Sequence, residues 1–163
     1  MKQTLTLRPI AAEDMDFLCQ VYASTRDEEL SQVAWGEGQK AAFLQMQFDA
    51  QHRYYQENYP NAQFQVILLN GEPAGRLYLD RRSAEIRIVD IALLPAYRNQ
   101  GIGSTLLHQI MAEGDRAGLP VTIHVESFNP ALRLYQRLGF RLAEERGVYY
   151  FMEKLPGEYD DRR

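Results

Sequence analysis

Apolar and polar residues alternate over residues 4–8, the period-two signature of a first strand. The period then lengthens. Phe17, Leu18, Val21 and Tyr22 form an apolar stripe at helical spacing, which predicts a helix entered through residues 9–13 and running to about Ser24. Residues 26–38 are mixed and predict a loop or a broken helix. A longer helix is predicted over 39–58, carrying Phe43, Met46, Phe48, Tyr54 and Tyr55, and Pro60-Asn61 ends it. Strands over 63–69 and 74–80 flank Asn70-Gly71, a strong hairpin turn signal. A strand follows over 85–94, then a helix over 101–118 with Gly114 as a weak spot, then a strand over 120–126. Residues 129–138 read as a short helix: Asn129 suits the N-cap, Pro130 the first helical position and Gly139 a left-handed stop. Residues 140–145 and 148–155 predict a closing hairpin across Gly147. The chain turns polar from Pro156, so one domain is expected over 3–156 and a polar C-terminal tail over 157–163. There is no internal repeat and no linker. Helices interspersed with mostly antiparallel strands predict a three-layer α/β arrangement.

The most specific segment is IALLPAYRNQGIGSTLL, residues 91–107. An apolar strand stops at Pro95, a polar turn carries Arg98 and Gln100, and Gly101-Ile102-Gly103 leads into a helix. That order brings bare backbone N–H groups and a helix N-terminus together, an arrangement suited to phosphate. The glycines let the backbone approach a bulky anion, and Arg98 adds a positive charge. Two better-known phosphate loops fail. A P-loop needs a Lys directly after its last Gly, and Ser104 follows Gly103. A dinucleotide fingerprint needs Gly or Ala at 106, which is Leu106.

The run Arg98-x-Gln100-Gly101-x-Gly103 closely resembles the acyl-CoA signature of the GNAT N-acetyltransferase superfamily, Gln/Arg-x-x-Gly-x-Gly/Ala. The segment NPALRLYQRLGF, residues 129–140, is similar to the family's second motif, in which an Asn opens the helix and a Tyr precedes Gly-Phe. The resemblance implies a GNAT-like three-layer α/β/α fold, its mixed and mostly antiparallel sheet splayed between the fourth and fifth strands. It also implies transfer of an acetyl group from acetyl-CoA to a primary amine by direct attack. Ile91, Ala92, Leu93 and Leu94 then offer main-chain groups to the pantetheine arm, with the Leu93 N–H facing the thioester oxygen. Arg98, Asn99, Gln100, Gly101, Ile102, Gly103 and Ser104 hold the pyrophosphate, and Asn129 contacts the arm. Tyr135 is the expected proton donor to the leaving thiolate: a phenol of ordinary pKa about 10 can protonate a thiolate whose acid has pKa about 8.5. Contact of Arg133 or Arg137 with the 3′-phosphate is a weaker expectation, against plain surface charge.

The general base departs from the family pattern. Bases commonly sit four or six residues before the Leu93 position, which here are Val89 and Arg87. Glu85 and Asp90 are the substitutes, with Glu126 a third. Asp90 falls on an otherwise apolar strand face, where burial would raise its pKa or hydrogen-bonding partners would hold it without a catalytic role. A base acting through ordered water, or an acceptor arriving as free amine, needs none of them. Tyr54, Tyr55, Tyr59 and Trp35 either shape an acceptor pocket or pack the helix.

Composition narrows the alternatives. The 163 residues suit one domain with a real core, and 45% hydrophobic with 25% charged residues is ordinary for a globular protein. A net charge of −4 argues against a broad nucleic-acid surface and mildly favours a cationic acceptor. The single cysteine, Cys19, excludes an intrachain disulfide and fits a reducing compartment; it lies in a helical pattern, which predicts a small buried side chain, with a reactive thiol as the other reading. No signal peptide or membrane-length apolar run is visible, so a cytoplasmic location without membrane partners is expected. His52, His108 and His124 are scattered, without metal-ligand spacing, and no metal is expected. Members of the family are often dimers, so a homodimer is open. Two other classes remain: a non-catalytic acyl-CoA-binding sensor of the same fold, and a nucleotide-binding enzyme.

Overall fold

The computed structural model describes residues 3–157; the expected polar tail lies outside them apart from Gly157. Seven strands and five α-helices follow in the order β1 (Leu5–Pro9), α1 (Met15–Ser24), α2 (Asp27–Leu30), α3 (Glu37–Asn58), β2 (Gln63–Leu69), β3 (Glu72–Arg81), β4 (Ile86–Leu93), α4 (Ile102–Ala117), β5 (Val121–Glu126), α5 (Leu132–Arg137), β6 (Arg141–Arg146) and β7 (Tyr149–Lys154). The strands are hydrogen-bonded in the order β1-β2-β3-β4-β5-β7-β6. Pairing of β1 with β2, of β5 with β7 and of β6 with β7 is antiparallel. β4 and β5 run parallel, in the register Ile86↔Val121, Arg87↔Thr122, Ile88↔Ile123. The fold class is therefore mixed α/β with a mostly antiparallel sheet, as expected.

The described residues form two compact units, residues 3–78 with 90–100, and residues 79–89 with 101–157, so β3 and β4 each contribute to both. In the first unit α1 packs against α3 around Leu18, Tyr22 and Phe48, with Met15, Phe17, Cys19 and Leu44 at the margin. β1 is pinned to the β2–β3 turn, where Asn70 Oδ1 accepts the Thr4 N–H at 2.8 Å and Asn70 N–H donates to the Thr4 carbonyl at 2.8 Å. Asn70 and Gly71 both have positive φ, 52° and 82°, the backbone a two-residue hairpin of type I′ needs.

In the second unit α4 buries Ile102, Leu106, Leu107, Ile110 and Met111, the i, i+4 stripe its sequence carries. Each such fully buried aliphatic side chain contributes about 1.5–3 kcal/mol. Gly114 belongs to the same stripe. It is a point of close approach, where a Cβ would lie 2.9 Å from the Leu119 carbonyl oxygen and 2.9 Å from Val121 Cγ2. The position read as a weak spot is one that admits no larger side chain.

Several boundaries shift by one or two residues, β3 beginning at Glu72 among them, and two differences bear on the reading. The 26–38 stretch contains the single turn α2, and α3 begins two residues earlier than predicted, at Glu37. α5 begins at Leu132 with Ala131 at its N-cap, so Asn129 does not cap it and Pro130 is not its first residue. Asn129 instead closes the preceding turn: its Oδ1 accepts the Ala131 N–H at 2.8 Å and its carbonyl accepts the Leu132 N–H at 3.0 Å. The helix end follows the prediction. Gly139 has φ 104°, its N–H donates to the Gln136 carbonyl, and the Phe140 N–H donates to the Tyr135 carbonyl.

Candidate active site

β4 stops at Leu93, and Pro95 opens a 3-10 turn over Pro95–Tyr97. Two left-handed residues follow, Asn99 at φ 62° and Gly101 at φ 82°. Asparagine is among the few residues with a Cβ that tolerate this region; at Gly101 the glycine removes the cost. α4 then starts, and the Thr105 N–H donates to the Gly101 carbonyl at 2.9 Å. No side chain caps this end of the helix. The main-chain N–H groups of Ile102, Gly103 and Ser104 therefore stand at the positive end of a 16-residue helix. A Cβ at Gly101 or Gly103 would meet nothing within 4 Å, so the space beside both is open.

The polar side chains of the turn hold the turn itself. Arg98 Nε donates to the Leu93 carbonyl at 2.9 Å and Nη2 to Ser24 Oγ at 3.1 Å. Gln100 Nε2 donates to the Ala96 carbonyl at 2.8 Å. Ile91, Ala92, Leu93 and Leu94 are all half-buried.

Both expected carboxylates are engaged. Asp90 receives Arg76 Nη2 on Oδ2 at 2.9 Å, Arg76 Nε on Oδ1 at 3.2 Å and the Tyr55 hydroxyl on Oδ2 at 2.7 Å. Arg76 is buried in this pair, and its Nη2 also donates to Gln51 Oε1 at 2.8 Å. Burial and the Asp90 charge push the Tyr55 phenol far above its ordinary value, so it remains a donor. Sequence reasoning missed Arg76; the available signal was a lone arginine inside the apolar run AGRLYL, residues 74–79.

In the second unit Glu85 Oε1 accepts the Thr122 hydroxyl at 2.6 Å and Arg87 Nη2 at 2.8 Å. Burial works to raise the Glu85 pKa, but the Thr122 hydroxyl and the Arg87 charge outweigh it and hold it below the usual value. Arg87, where the family pattern would place a base, donates through Nε to Thr122 Oγ1 at 2.8 Å and lies 5.3 Å from the centre of the Phe151 ring. On β5 next to Thr122's face is His124, whose Nε2 lies 2.8 Å from Arg146 Nη1. Burial, Arg87 and Arg146 lower the His124 pKa from 6.5, against Glu85 and Glu144. His124 is therefore neutral at pH 7. The unfolded chain takes its proton first as pH falls through 6.5, so the stability due to His124 is complete above 6.5 and declines towards the lower folded value. An NMR titration is expected to place the imidazole midpoint below 6.5, and Arg146→Gln to move it upward.

Tyr135 is buried in α5, its ring edge-on to Phe140 at 5.8 Å between centres. Glu126 ends β5 opposite Tyr149 and is half-buried. Arg133 and Arg137 are exposed. Trp35 packs edge-on against Phe43, whereas Tyr55 meets Tyr54, Tyr59 and Tyr78. Cys19 is half-buried, and burial, Asp49 and Asp16 raise its thiol pKa. Among the described residues no group of three His, Cys, Asp or Glu side chains is arranged to hold a metal ion, and no helix is long and apolar enough to cross a membrane.

Comparison with known proteins gives a family match and several relatives. The model of the acetyltransferase (GNAT) family matches residues 26–140. A mycothiol acetyltransferase of Corynebacterium glutamicum is 36% identical over 91 residues, 52% of this chain and 30% of that protein, so the match spans less than a third of that relative. A protein of Bacillus subtilis described as a putative [ribosomal protein bS18]-alanine N-acetyltransferase is 26% identical over 153 residues, 92% of this chain and 89% of its own. Among solved structures, the PaiA N-acetyltransferase of Thermoplasma acidophilum in complex with coenzyme A has a TM-score of 0.69 at 17% identity, covering 93% of this chain and 99% of its own. A GNAT family acetyltransferase of Elizabethkingia anophelis with acetyl-CoA bound has a TM-score of 0.58 at 18% identity, with 93% and 97% covered. At these identities the structural likeness speaks for the fold alone.

Proposed function

The chain belongs to the GNAT acetyltransferase family, and from that premise we propose that it is an acetyl-CoA-dependent N-acetyltransferase acting on a primary amine. The observation that carries this reading is the uncapped start of α4 behind the left-handed residues Asn99 and Gly101, with open space at Gly101 and Gly103. Residues 98–104 take the pyrophosphate of the donor, as two relatives solved with coenzyme A or acetyl-CoA support. The main chain of residues 91–94 takes the pantetheine arm, and Asn129 adds a contact to it.

The chemistry then follows. A neutral amine attacks the thioester carbon, and the carbonyl oxygen gains negative charge that the Leu93 N–H stabilises. The carbon–sulfur bond breaks as the carbonyl reforms. The departing thiolate takes the Tyr135 hydroxyl proton, and the extra proton on the product nitrogen passes through water back to the tyrosinate, which restores the donor. The engagement of Glu85 with Thr122 and Arg87, and of Asp90 with Arg76 and Tyr55, favours loss of that proton through water, or entry of the acceptor as free amine, over direct abstraction by either carboxylate. One sequence relative is named a mycothiol acetyltransferase and the other a putative ribosomal-protein alanine N-acetyltransferase, so the acceptor is given only as a primary amine.

Calorimetry with acetyl-CoA tests the reading. Binding in the micromolar range is expected for the wild type. Gly101→Ala forces a Cβ into left-handed backbone at about 1–2 kcal/mol, an affinity loss of roughly tenfold. No heat at millimolar acetyl-CoA would overturn it. The engaged carboxylates also favour a second reading, a non-catalytic acyl-CoA-binding domain. Binding with no release of coenzyme A across a panel of small amines and alanine-initiated peptides would select it.

A further inference from the structure

β3 and β4 are out of step by one residue. At their connecting turn the Arg82 N–H donates to the Glu85 carbonyl at 2.9 Å. Counted residue for residue from that pair, Ala74 stands opposite Leu93. Instead the Ala74 carbonyl accepts the Leu94 N–H at 2.9 Å. β4 therefore holds one residue more than β3 between Glu85 and Leu94, which is a β-bulge.

Three successive β3 residues hold this stretch. Ala74 bonds Leu94. Gly75 lies under Ala92 and Leu93 so closely that a Cβ there would be 2.2 Å from the Ala92 carbonyl oxygen and 3.0 Å from Leu93 Cα. Arg76, buried, grips both oxygens of Asp90, and Tyr55 and Gln51 of α3 complete the grip. A buried arginine is a costly way to join two strands, and here it fixes the residue two before Ala92.

We propose that Gly75 and the Arg76–Asp90–Tyr55 cluster are positioning residues that set the peptide plane between Ala92 and Leu93, and so aim the Leu93 N–H at the thioester carbonyl. The inference rests on the acetyl-CoA reading above. It assigns Asp90 to shaping the donor site in place of proton abstraction. A cluster that served stability alone would change melting behaviour and leave the bound thioester untouched.

Isotope-edited infrared spectroscopy of bound [1-13C]acetyl-CoA reads the carbonyl directly. In the wild type the band is expected below that of the free thioester. Asp90→Asn, nearly isosteric, is expected to return it towards the free position while affinity for coenzyme A itself, which lacks the acetyl group, stays within about threefold. Gly75→Ala should do the same where it folds, and Tyr55→Phe, which removes one hydrogen bond, should shift the band by less in the same direction. An unmoved band in a folded Asp90→Asn or Tyr55→Phe protein overturns the proposal. So does a wild-type band at the free position when calorimetry shows acetyl-CoA bound. Failure of the wild type to bind acetyl-CoA at all overturns the functional reading first, and this inference with it.

Discussion

Asp90→Ala is expected to lower the melting temperature by roughly 6–20 °C. The substitution leaves the Arg76 guanidinium buried without its counter-charge, at a cost of about 3–5 kcal/mol, and each kcal/mol shifts a domain of this size by about 2–4 °C. Arg76 has few substitutes: Gln51 accepts one of its N–H groups and the Tyr78 ring lies 5.2 Å away. Thermal melting followed by circular dichroism checks the value. The paired replacement Arg76→Met with Asp90→Leu removes both charges, and much of the loss should return because the desolvation cost disappears with the attraction. A single variant that melted within about 2 °C of wild type would mean that water reaches Arg76 and that the cluster is not closed.

Tyr135→Phe is expected to reduce kcat about 100-fold, at the lower end of the range for a positioned proton donor, with acetyl-CoA affinity unchanged. The ring contact with Phe140 and the main-chain bonds that end α5 survive this change. Release of coenzyme A monitored with a thiol reagent supplies the rate, and calorimetry supplies the affinity. A kcat within threefold of wild type would leave Tyr135 as a packing residue whose hydroxyl is not used.

Local signals carried well where the physics is local. Asn70-Gly71 announces a hairpin because few residue pairs accept two positive φ values in succession, and it forms one. Gly139 announces the end of α5 for the same reason. The start of α5 was misjudged because Asn129 has a competing local option: its side chain bonds the N–H two residues on and makes a turn before the helix begins. Gly114 reads as a weak spot in the helix, and the reason for the glycine is out of sight in the sequence, because its neighbours Leu119 and Val121 approach only once the chain has turned back into β5.

The site was legible in its loop and hidden in its charges. The sequence of residues 98–103 shows where backbone is left bare, since Gly and Asn record φ directly. It cannot show that Arg98 reaches back to Leu93 and Ser24, or that Asp90 is met by Arg76 from 14 residues away and Tyr55 from 35. Partners of a buried charge are chosen by strand register, and here a one-residue bulge sets that register. The family positions 87 and 89 correctly warned that no carboxylate stands there. Glu85 and Asp90 stand out in the sequence by chemistry alone, whereas their partners are set by the fold.

β6 ends the strand order, and every residue from Arg141 to Arg146 is exposed. Four of its six residues, Arg141, Glu144, Glu145 and Arg146, are charged. A strand from a neighbouring molecule adding along that rim would have to desolvate these groups or find a matching sequence of opposite charges. The β6 rim therefore resists runaway strand stacking, and fibril growth through this edge is not expected even in concentrated solutions.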